Sequence, residues 1–136
     1  MFPLSPEKAG RVLLAGNFAD FFNAGRKAYP GAVLYRYSQG IQELMAYARN
    51  ADTVIFCLSD RAGLGILQEL RRLDKREEKK IIVFSVLNPG YLSGASWADG
   101  AVAVYSYAEE SFIAGFSAIL GRISGEGILP FSLNGN

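Results

Sequence analysis

The chain has 136 residues, half of them hydrophobic, and its 14 basic and 13 acidic residues leave a net charge of +1. This length fits one domain, and the near-neutral charge argues against a protein that binds nucleic acid by neutralising phosphates. The sequence holds no apolar stretch of the roughly eighteen residues that a membrane span needs, and its start lacks the features of a signal peptide. We therefore expect one globular domain over residues 1–136, with no nucleic-acid or membrane partner. The cellular location stays open.

Five short apolar runs, rich in valine, isoleucine and aromatic residues, recur along the chain. They span residues 11–16, 32–37, 53–59, 80–87 and 101–107. Because they are mostly continuous rather than alternating, they are typical of strands in a parallel sheet that is covered on both faces. The terminal stretch LPFSL (129–133) predicts a sixth strand at one edge of the sheet.

Amphipathic segments separate these runs. Their apolar residues follow helical spacing in four sets: Phe18, Phe21 and Phe22; Ile41, Leu44, Met45 and Ala48; Leu64, Leu67 and Leu70; and Phe112, Ile113, Phe116, Ile119 and Leu120. The alternation of strands and helices predicts a three-layer α/β/α sandwich with a mostly parallel six-stranded sheet, in a flavodoxin-like or Rossmann-like layout.

The last helix has the clearest boundary signals. Ser106 and Glu109 match a capping box, in which the Ser106 hydroxyl accepts a hydrogen bond from the Glu109 amide. Gly121 is the residue type expected just after the end of a helix.

Ligands of parallel α/β sheets bind at the carboxyl ends of the strands. The polar residues that follow the predicted strands are therefore the candidates for a ligand site: Asn17, Asp20, Ser59, Asp60, Arg61 and Asn88. The first strand ends in LAGNFADFF, which lacks the G-x-G-x-x-G pattern of a dinucleotide site, so no nicotinamide cofactor is expected. For Asn17 a helix N-cap is favoured over a flavin- or phosphate-binding loop. For Asp60 and Arg61 a cap with a solvent-facing neighbour is favoured over a pair that binds a sugar hydroxyl or faces a partner domain.

The sequence offers no complete catalytic constellation. It contains no histidine, which excludes the Ser–His, Cys–His and His–Asp mechanisms and removes the commonest metal ligand. Cys57, the only cysteine, lies in an apolar run where a buried, inert thiol is expected. The carboxylate pair at 109–110 falls in the first turn of a predicted helix, where negative charge complements the helix dipole. We therefore predict no catalytic residue, no metal and no cofactor in this chain.

A set of motifs in the last third of the chain nevertheless points to a known family. Asn-Pro and a leucine follow one strand, a Tyr-Ser-Tyr turn leads into a helix, and Leu-Gly, a short spacer and Gly-x-Leu-Pro come after it. The residues are Asn88, Pro89 and Leu92; Tyr105, Ser106 and Tyr107; Leu120 and Gly121; and Gly127, Leu129 and Pro130. In this order, over residues 80–133, they resemble the C-terminal domain of glycoside hydrolase family 3.

The resemblance implies an accessory role. In that family a separate N-terminal (β/α)8 barrel supplies the aspartate nucleophile, and in the β-N-acetylhexosaminidase branch it also supplies a His–Asp acid/base pair. In the β-glucosidase branch an acid/base glutamate comes from the second domain, in a loop after its third strand. The corresponding segment here, CLSDRAGLGI (57–66), has no glutamate. The chain is thus similar to the hexosaminidase-like branch, whose second domain is not catalytic, or to a diverged member of the family. The resemblance implies that its contact with the carbohydrate substrate is indirect, and the isolated chain is expected to have no glycosidase activity.

Two further expectations concern partners. The loop NPGYLSGASWADG (88–100) holds Tyr91 and Trp97, and it is a candidate surface for the missing barrel and for self-association of the isolated chain. A fold in which Trp97 closes over the fourth and fifth strands is an equally weighted alternative. The alternative function is a free-standing flavodoxin-like module that binds a small phosphorylated or sugar ligand at the strand ends.

Overall fold

The computed structural model describes residues 4–36, 41–59, 61–77, 80–86, 100–104, 106 and 108–121. Strands and helices alternate in the order that the apolar runs predict. The strands are β1 (Val12–Gly16), β2 (Val33–Arg36), β3 (Thr53–Leu58), β4 (Lys80–Val86) and β5 (Gly100–Val104). The helices are α1 (Pro6–Ala9), α2 (Ala19–Ala28), α3 (Ile41–Arg49), α4 (Arg61–Glu77) and α5 (Glu109–Ile119).

The described strands form one parallel sheet in the order β2-β1-β3-β4-β5. This is the flavodoxin-like order, in which the strand order reverses between β1 and β3. The predicted α/β sandwich with a mostly parallel sheet is confirmed, with five strands in the described part of the chain. The sixth predicted strand, over residues 129–133, lies outside the described residues.

Helices cover both faces of the sheet, as predicted. On one face α2 and α5 pack a group of phenylalanines against the strands, and the rings of Phe84 and Phe116 lie 4.6 Å apart. On the other face, the apolar side chains of α3 and α4, among them Leu44, Leu67 and Leu70, pack on β1, β3 and β4. The expected apolar stripe of α5 is wrong at one position. Ile113 is 38% exposed, because Phe112 and Phe116 already direct that helix's buried face at the sheet and α2.

The ends of the strands define two rims: the amino rim, where the strands begin, and the carboxyl rim, where they end. Side chains join distant parts of the chain at the amino rim. The Thr53 hydroxyl donates to the Ala9 carbonyl at 2.7 Å, the Tyr29 hydroxyl donates to the Leu4 carbonyl at 2.8 Å, and the Asp52 carboxylate accepts from the Arg11 amide at 2.8 Å.

The single-turn helix α1 belongs to the amino rim and was not predicted, since four residues carry no apolar periodicity. Its start nevertheless has the usual features of a helix N-terminus. The Ser5 hydroxyl accepts a hydrogen bond from the Lys8 amide at 3.3 Å, and Pro6 occupies the first turn. It ends at Gly10, whose φ of +67° is one that residues with a side chain rarely adopt. A Cβ atom there would also lie 2.5 Å from Asp52 Oδ2.

Candidate functional site

The carboxyl rim between β1 and β3 is the topological switch point of the sheet, where ligands of this layout bind. Asn17 follows β1 and Ser59 follows β3, and the two strands are hydrogen-bonded neighbours. Both residues are half-buried, as is Asp20 in the first turn of α2. The structure therefore places three of the predicted polar residues at or beside the expected rim.

The cap predicted for α2 is one residue off. The N-cap position belongs to Phe18, which makes no side-chain capping hydrogen bond, and Asn17 precedes it. The Phe18 ring packs against the core and stacks on Phe112 with ring centroids 6.5 Å apart. Fully burying a phenylalanine is worth about 1.5–3 kcal/mol, so the partial burial of Phe18 is comparable to the roughly 1 kcal/mol of an average cap, which accounts for the shift.

Arg36 at the end of β2 was not among the predicted site residues. Its guanidinium donates from Nη1 to the Asn17 carbonyl at 2.8 Å and lies 5.8 Å from the centre of the Phe22 ring. A fixed positive charge thus lies beside the start of α2, where the helix dipole also favours anions. The signal was available in the sequence, since Arg36 is the charged residue within the run AVLYRY.

Gly16 has a packing role in this rim. A Cβ atom at this position would lie 2.9 Å from the Phe21 ring and 3.1 Å from Cys57 Cβ. The glycine that ends β1 therefore lets α2 approach the sheet closely. This close packing accounts for a glycine at position 16, so no phosphate-binding role is needed to explain it.

The start of α5 also differs from the prediction. Its N-cap position belongs to Ala108, with no side-chain cap, and Ser106 lies two residues earlier. Ser106 Oγ accepts from the Ala108 amide at 3.3 Å and shares a 2.5 Å hydrogen bond with Ser111 Oγ. Glu109 instead forms an ion pair with Lys27 on α2, at 3.3 Å. The capping box was wrong, because the chain makes a local turn at Ser106 before the helix begins. The predicted end is confirmed: Gly121, with a φ of +78°, follows the last turn of α5.

The structure describes only one of the remaining predicted residues. Arg61 is the first residue of α4. Asp60, Asn88, Tyr91 and Trp97 lie outside the described residues. The predictions for these four, both as a ligand site and as an interdomain surface, remain predictions.

Cys57 is fully buried on β3, as predicted. Burial in the apolar core raises the pKa of its thiol far above the usual range, so it carries no thiolate at neutral pH. Within the described part of the chain, no three histidine, cysteine, aspartate or glutamate side chains come together as a metal site. No helix among the same residues is long and apolar enough to cross a membrane.

Comparison with known proteins identifies one similar fold. No family model matches the chain, and no curated protein sequence matches it. A solved structure matches with a TM-score of 0.73 over 90% of this chain at 19% identity. It is a fungal multi-domain GH3 β-N-acetylglucosaminidase, described as containing a unique GCN5-related glucosamine N-acetyltransferase region. The chain spans 15% of that protein's length, so the likeness shows a shared fold with one part of a much larger molecule.

Proposed function

We propose that this chain is the accessory domain of a family 3 glycoside hydrolase, similar to the β-N-acetylhexosaminidase branch, and that it packs against a (β/α)8 barrel. In this proposal the barrel carries the catalytic residues, and the present domain stabilises or positions it. The observation that carries the proposal is the match of almost the whole chain to a small part of a multi-domain GH3 β-N-acetylglucosaminidase. The Asn-Pro, Tyr-Ser-Tyr and Gly-x-Leu-Pro motifs support it independently.

The chemistry of the described side chains is consistent with an accessory role. Most retaining glycoside hydrolases use two carboxyl groups about 5 Å apart, one of which must hold a proton near neutral pH, and the hexosaminidase branch replaces the acid/base carboxyl with a His–Asp pair. Glu109 forms an ion pair with Lys27 on α2, at 3.3 Å. The sequence has no histidine for the acid/base pair of the hexosaminidase branch. A barrel in the same polypeptide would supply both groups.

The experiment that tests the proposal starts from the gene. We expect the reading frame upstream of Met1 to encode a (β/α)8 barrel, and the full-length protein to hydrolyse a chromogenic β-N-acetylglucosaminide. The purified 136-residue chain should show no turnover of that substrate or of the corresponding glucoside. A reading frame that starts at Met1 with no barrel, or turnover by the isolated chain after contamination controls, would contradict the proposal.

The same purified chain should be assayed with acetyl-CoA and glucosamine, because the structural neighbour is described as containing an acetyltransferase region. In that reaction the sugar amine attacks the thioester carbonyl, the amide forms, and free CoA thiol is released. We expect no thiol release above the blank. Release that depends on both substrates would replace the accessory-domain proposal with a transferase.

A second candidate function rests on the switch point itself. Asn17 and Ser59 follow neighbouring strands, and the Arg36 guanidinium lies beside the start of α2. Polar side chains and a positive charge at a strand–helix junction favour a small phosphorylated or sugar ligand. Titration of the chain with inorganic phosphate and with N-acetylglucosamine, followed by amide chemical shifts, tests this. Shifts that centre on residues 16–20 and vanish in Arg36→Ala would support the binding module. Shifts that are absent or scattered would remove it.

A further inference from the structure

The lateral edge of the sheet formed by β2 exposes apolar side chains. Val33 is 47% exposed, Leu34 is 37% exposed, and Tyr47 on the neighbouring helix α3 is 45% exposed. We call these three residues the β2 patch. Among the described side chains, one other large hydrophobic residue is exposed, Ile113 on α5. Among the residues that the structure describes, the exposed large hydrophobic side chains are therefore concentrated at one edge of the sheet.

The two lateral edges of the described sheet differ in this respect. Every residue of β5 is buried, whereas β2 is exposed at three of its four positions. Strand edges usually carry lysine, proline or a bulge that prevents pairing with another chain. The sequence of β2, Val-Leu-Tyr-Arg, has neither lysine nor proline, and its four residues pair with β1 in unbroken register. Of the features that discourage pairing at an edge, β2 has its short length and the charge of Arg36 at its end, and its first three residues carry no charge.

The two faces of β2 can be assigned from its neighbours. Tyr35 belongs to the core under α3 and α4, and Val33 lines a groove with Tyr47, so these two side chains lie on the same face. Leu34 and Arg36 lie on the opposite face, where the Arg36 guanidinium rests over Phe22. Any strand that pairs with β2 must match this alternation.

We propose that the partner of the β2 patch is a second copy of this chain, with the two β2 strands antiparallel across a twofold axis perpendicular to the sheet. Such an axis keeps each face of the sheet on its own side, so residues directly opposite each other must come from the same face. The register that places Leu34 opposite Leu34 of the other copy also places Val33 opposite Tyr35, twice. Every central pair is then apolar.

Charge favours the same register. It sets each Arg36 opposite Ala32, which places the two guanidinium groups at opposite ends of the paired strands. The shift that pairs Tyr35 with itself would set Arg36 against Leu34, and a further shift would bring the two arginines together. Like charges directly opposite destabilise a strand pair. The remaining register, with Val33 opposite itself, would set Leu34 against Ala32 and Tyr35 against Gly31. These pairs bury less apolar surface than Leu34 with Leu34 and Val33 with Tyr35, so the register that pairs Leu34 with itself is favoured.

The groove next to Val33 adds surface to this contact. It has a volume of about 230 Å³ and is lined by Arg11, Gly31, Val33, Tyr47 and Asn50, among others, and a Cβ atom at Gly31 would meet nothing within 4 Å. The twofold axis brings the α3 helices of both copies to the same side of the joined sheet. Each Tyr47 then lies beside the strand pair, where its ring can cover the Val33–Tyr35 contact.

The expected affinity is weak. A pair of four-residue strands with one helix contact buries less than the 1,200–2,000 Å² of a stable interface, so we expect a dissociation constant on the order of 10–100 µM. Sedimentation equilibrium of the 136-residue chain from about 5 to 500 µM should show a monomer–dimer equilibrium in that range. A chain that stays monomeric throughout overturns the proposal.

Matched substitutions locate the interface. Val33→Lys and Leu34→Lys change opposite faces of β2 and should each weaken the dimer at least about tenfold, since each places a charge in an apolar pair. Ile113→Lys introduces the same charge at a comparably exposed apolar site on α5 and should leave the association unchanged. Circular dichroism verifies that the variants fold. If one of the two β2 variants fails to fold, the other still tests the interface. Dimers that survive both β2 changes, or that are dispersed by Ile113→Lys or Trp97→Ser instead, overturn the proposal.

Cross-linking tests the register. Leu34→Cys lies opposite itself across the axis, at the Cα separation of 4.5–5.5 Å that suits a disulfide. With oxidised glutathione as the oxidant, we expect a covalent dimer from Leu34→Cys. Arg36→Cys is the control and should give little, because its partner position is Ala32. Cross-linking of Arg36→Cys in place of Leu34→Cys overturns the proposal.

Discussion

The amino and carboxyl rims of the sheet are built from different kinds of contact. At the amino rim, Thr53 bonds to Ala9, Asp52 to Arg11 and Tyr29 to Leu4, over separations of 25 to 44 residues. At the carboxyl rim, the described hydrogen bonds of Arg36 and Ser106 span 19 residues or fewer. The amino rim ties the start of the chain to the middle of the sheet, whereas these carboxyl-rim bonds join the ends of neighbouring strands or lie within a turn.

This difference indicates that the amino rim stabilises the fold and that the turns of the carboxyl rim are free to vary. The hydrogen bonds of Thr53 and Tyr29 are buried and contribute to global stability, because breaking one leaves a donor or acceptor without that partner, whereas the bond between Asp52 and the Arg11 amide is exposed. Local turns at strand ends can vary without disturbing the sheet, which is why parallel α/β proteins place ligand sites there. We therefore expect substitutions at the amino rim to lower the free energy of unfolding, and substitutions of turn residues at the carboxyl rim, such as Ser106, to leave it nearly unchanged.

The largest effect is expected for Gly10→Ala at the amino rim. The residue has a φ of +67°, and the new Cβ atom would meet the Asp52 carboxylate. Backbone strain of this kind costs on the order of 1–3 kcal/mol, and the steric contact adds to it. Urea denaturation of both proteins measures the loss. In an Asp52→Ala background the cost should fall, because the obstructing carboxylate is gone, and an unchanged cost would show that the contact with Asp52 is irrelevant.

Thr53→Val comes next. Thr53 is fully buried, and its hydroxyl donates to the Ala9 carbonyl at 2.7 Å. Valine has nearly the same shape but leaves that carbonyl without its donor, so we expect a loss of about 1–3 kcal/mol in the free energy of unfolding. Thr53→Ser is the matched control, because it keeps the hydroxyl and removes only a methyl group. A larger loss in the serine variant would mean that packing, not the hydrogen bond, matters at this position.

Tyr29→Phe should have a smaller effect. It removes the hydroxyl that donates to the Leu4 carbonyl at 2.8 Å and keeps the ring, which packs against Phe116 at 6.3 Å. The net worth of such a bond is about 1 kcal/mol. Because Leu4 also donates its amide to the Ile119 carbonyl, amide hydrogen exchange at Leu4 should accelerate together with the loss of stability. Unchanged exchange at Leu4 would show that the Tyr29 hydroxyl does not help to hold the start of the chain in place.

Sequence periodicity predicted the parts of this fold that depend on burial. Four of the five runs became buried strands, β1, β3, β4 and β5, because apolar residues without alternation must be covered on both faces. Phe112 and Phe116 identified the buried side of α5. Helix starts were less predictable. The caps at Asn17 and Ser106 were each misplaced, because the packing of Phe18 and a local serine turn outweighed a single capping bond.

The residues that give the sheet its rims and its exposed edge could not be predicted from local pattern. Asp52 and Thr53 bond to residues more than forty positions away, a pairing that only the folded sheet creates. Val33 and Leu34 read as an ordinary buried strand, and their exposure follows from the position of β2 at the edge of the sheet. Strand order depends on the whole chain and cannot be predicted from the individual apolar runs.

The smallest effect is expected for Ser106→Ala at the carboxyl rim. The half-buried hydroxyl accepts from the Ala108 amide at 3.3 Å and bonds to Ser111, but water can replace it at an exposed amide. We expect a change of at most about 0.5 kcal/mol in the free energy of unfolding, as for most surface substitutions. Ser111→Ala should behave alike, and the double variant should cost no more than the sum, because the two hydroxyls serve each other. A loss above about 1 kcal/mol would place this turn among the groups that hold the sheet together and would erase the distinction between the rims.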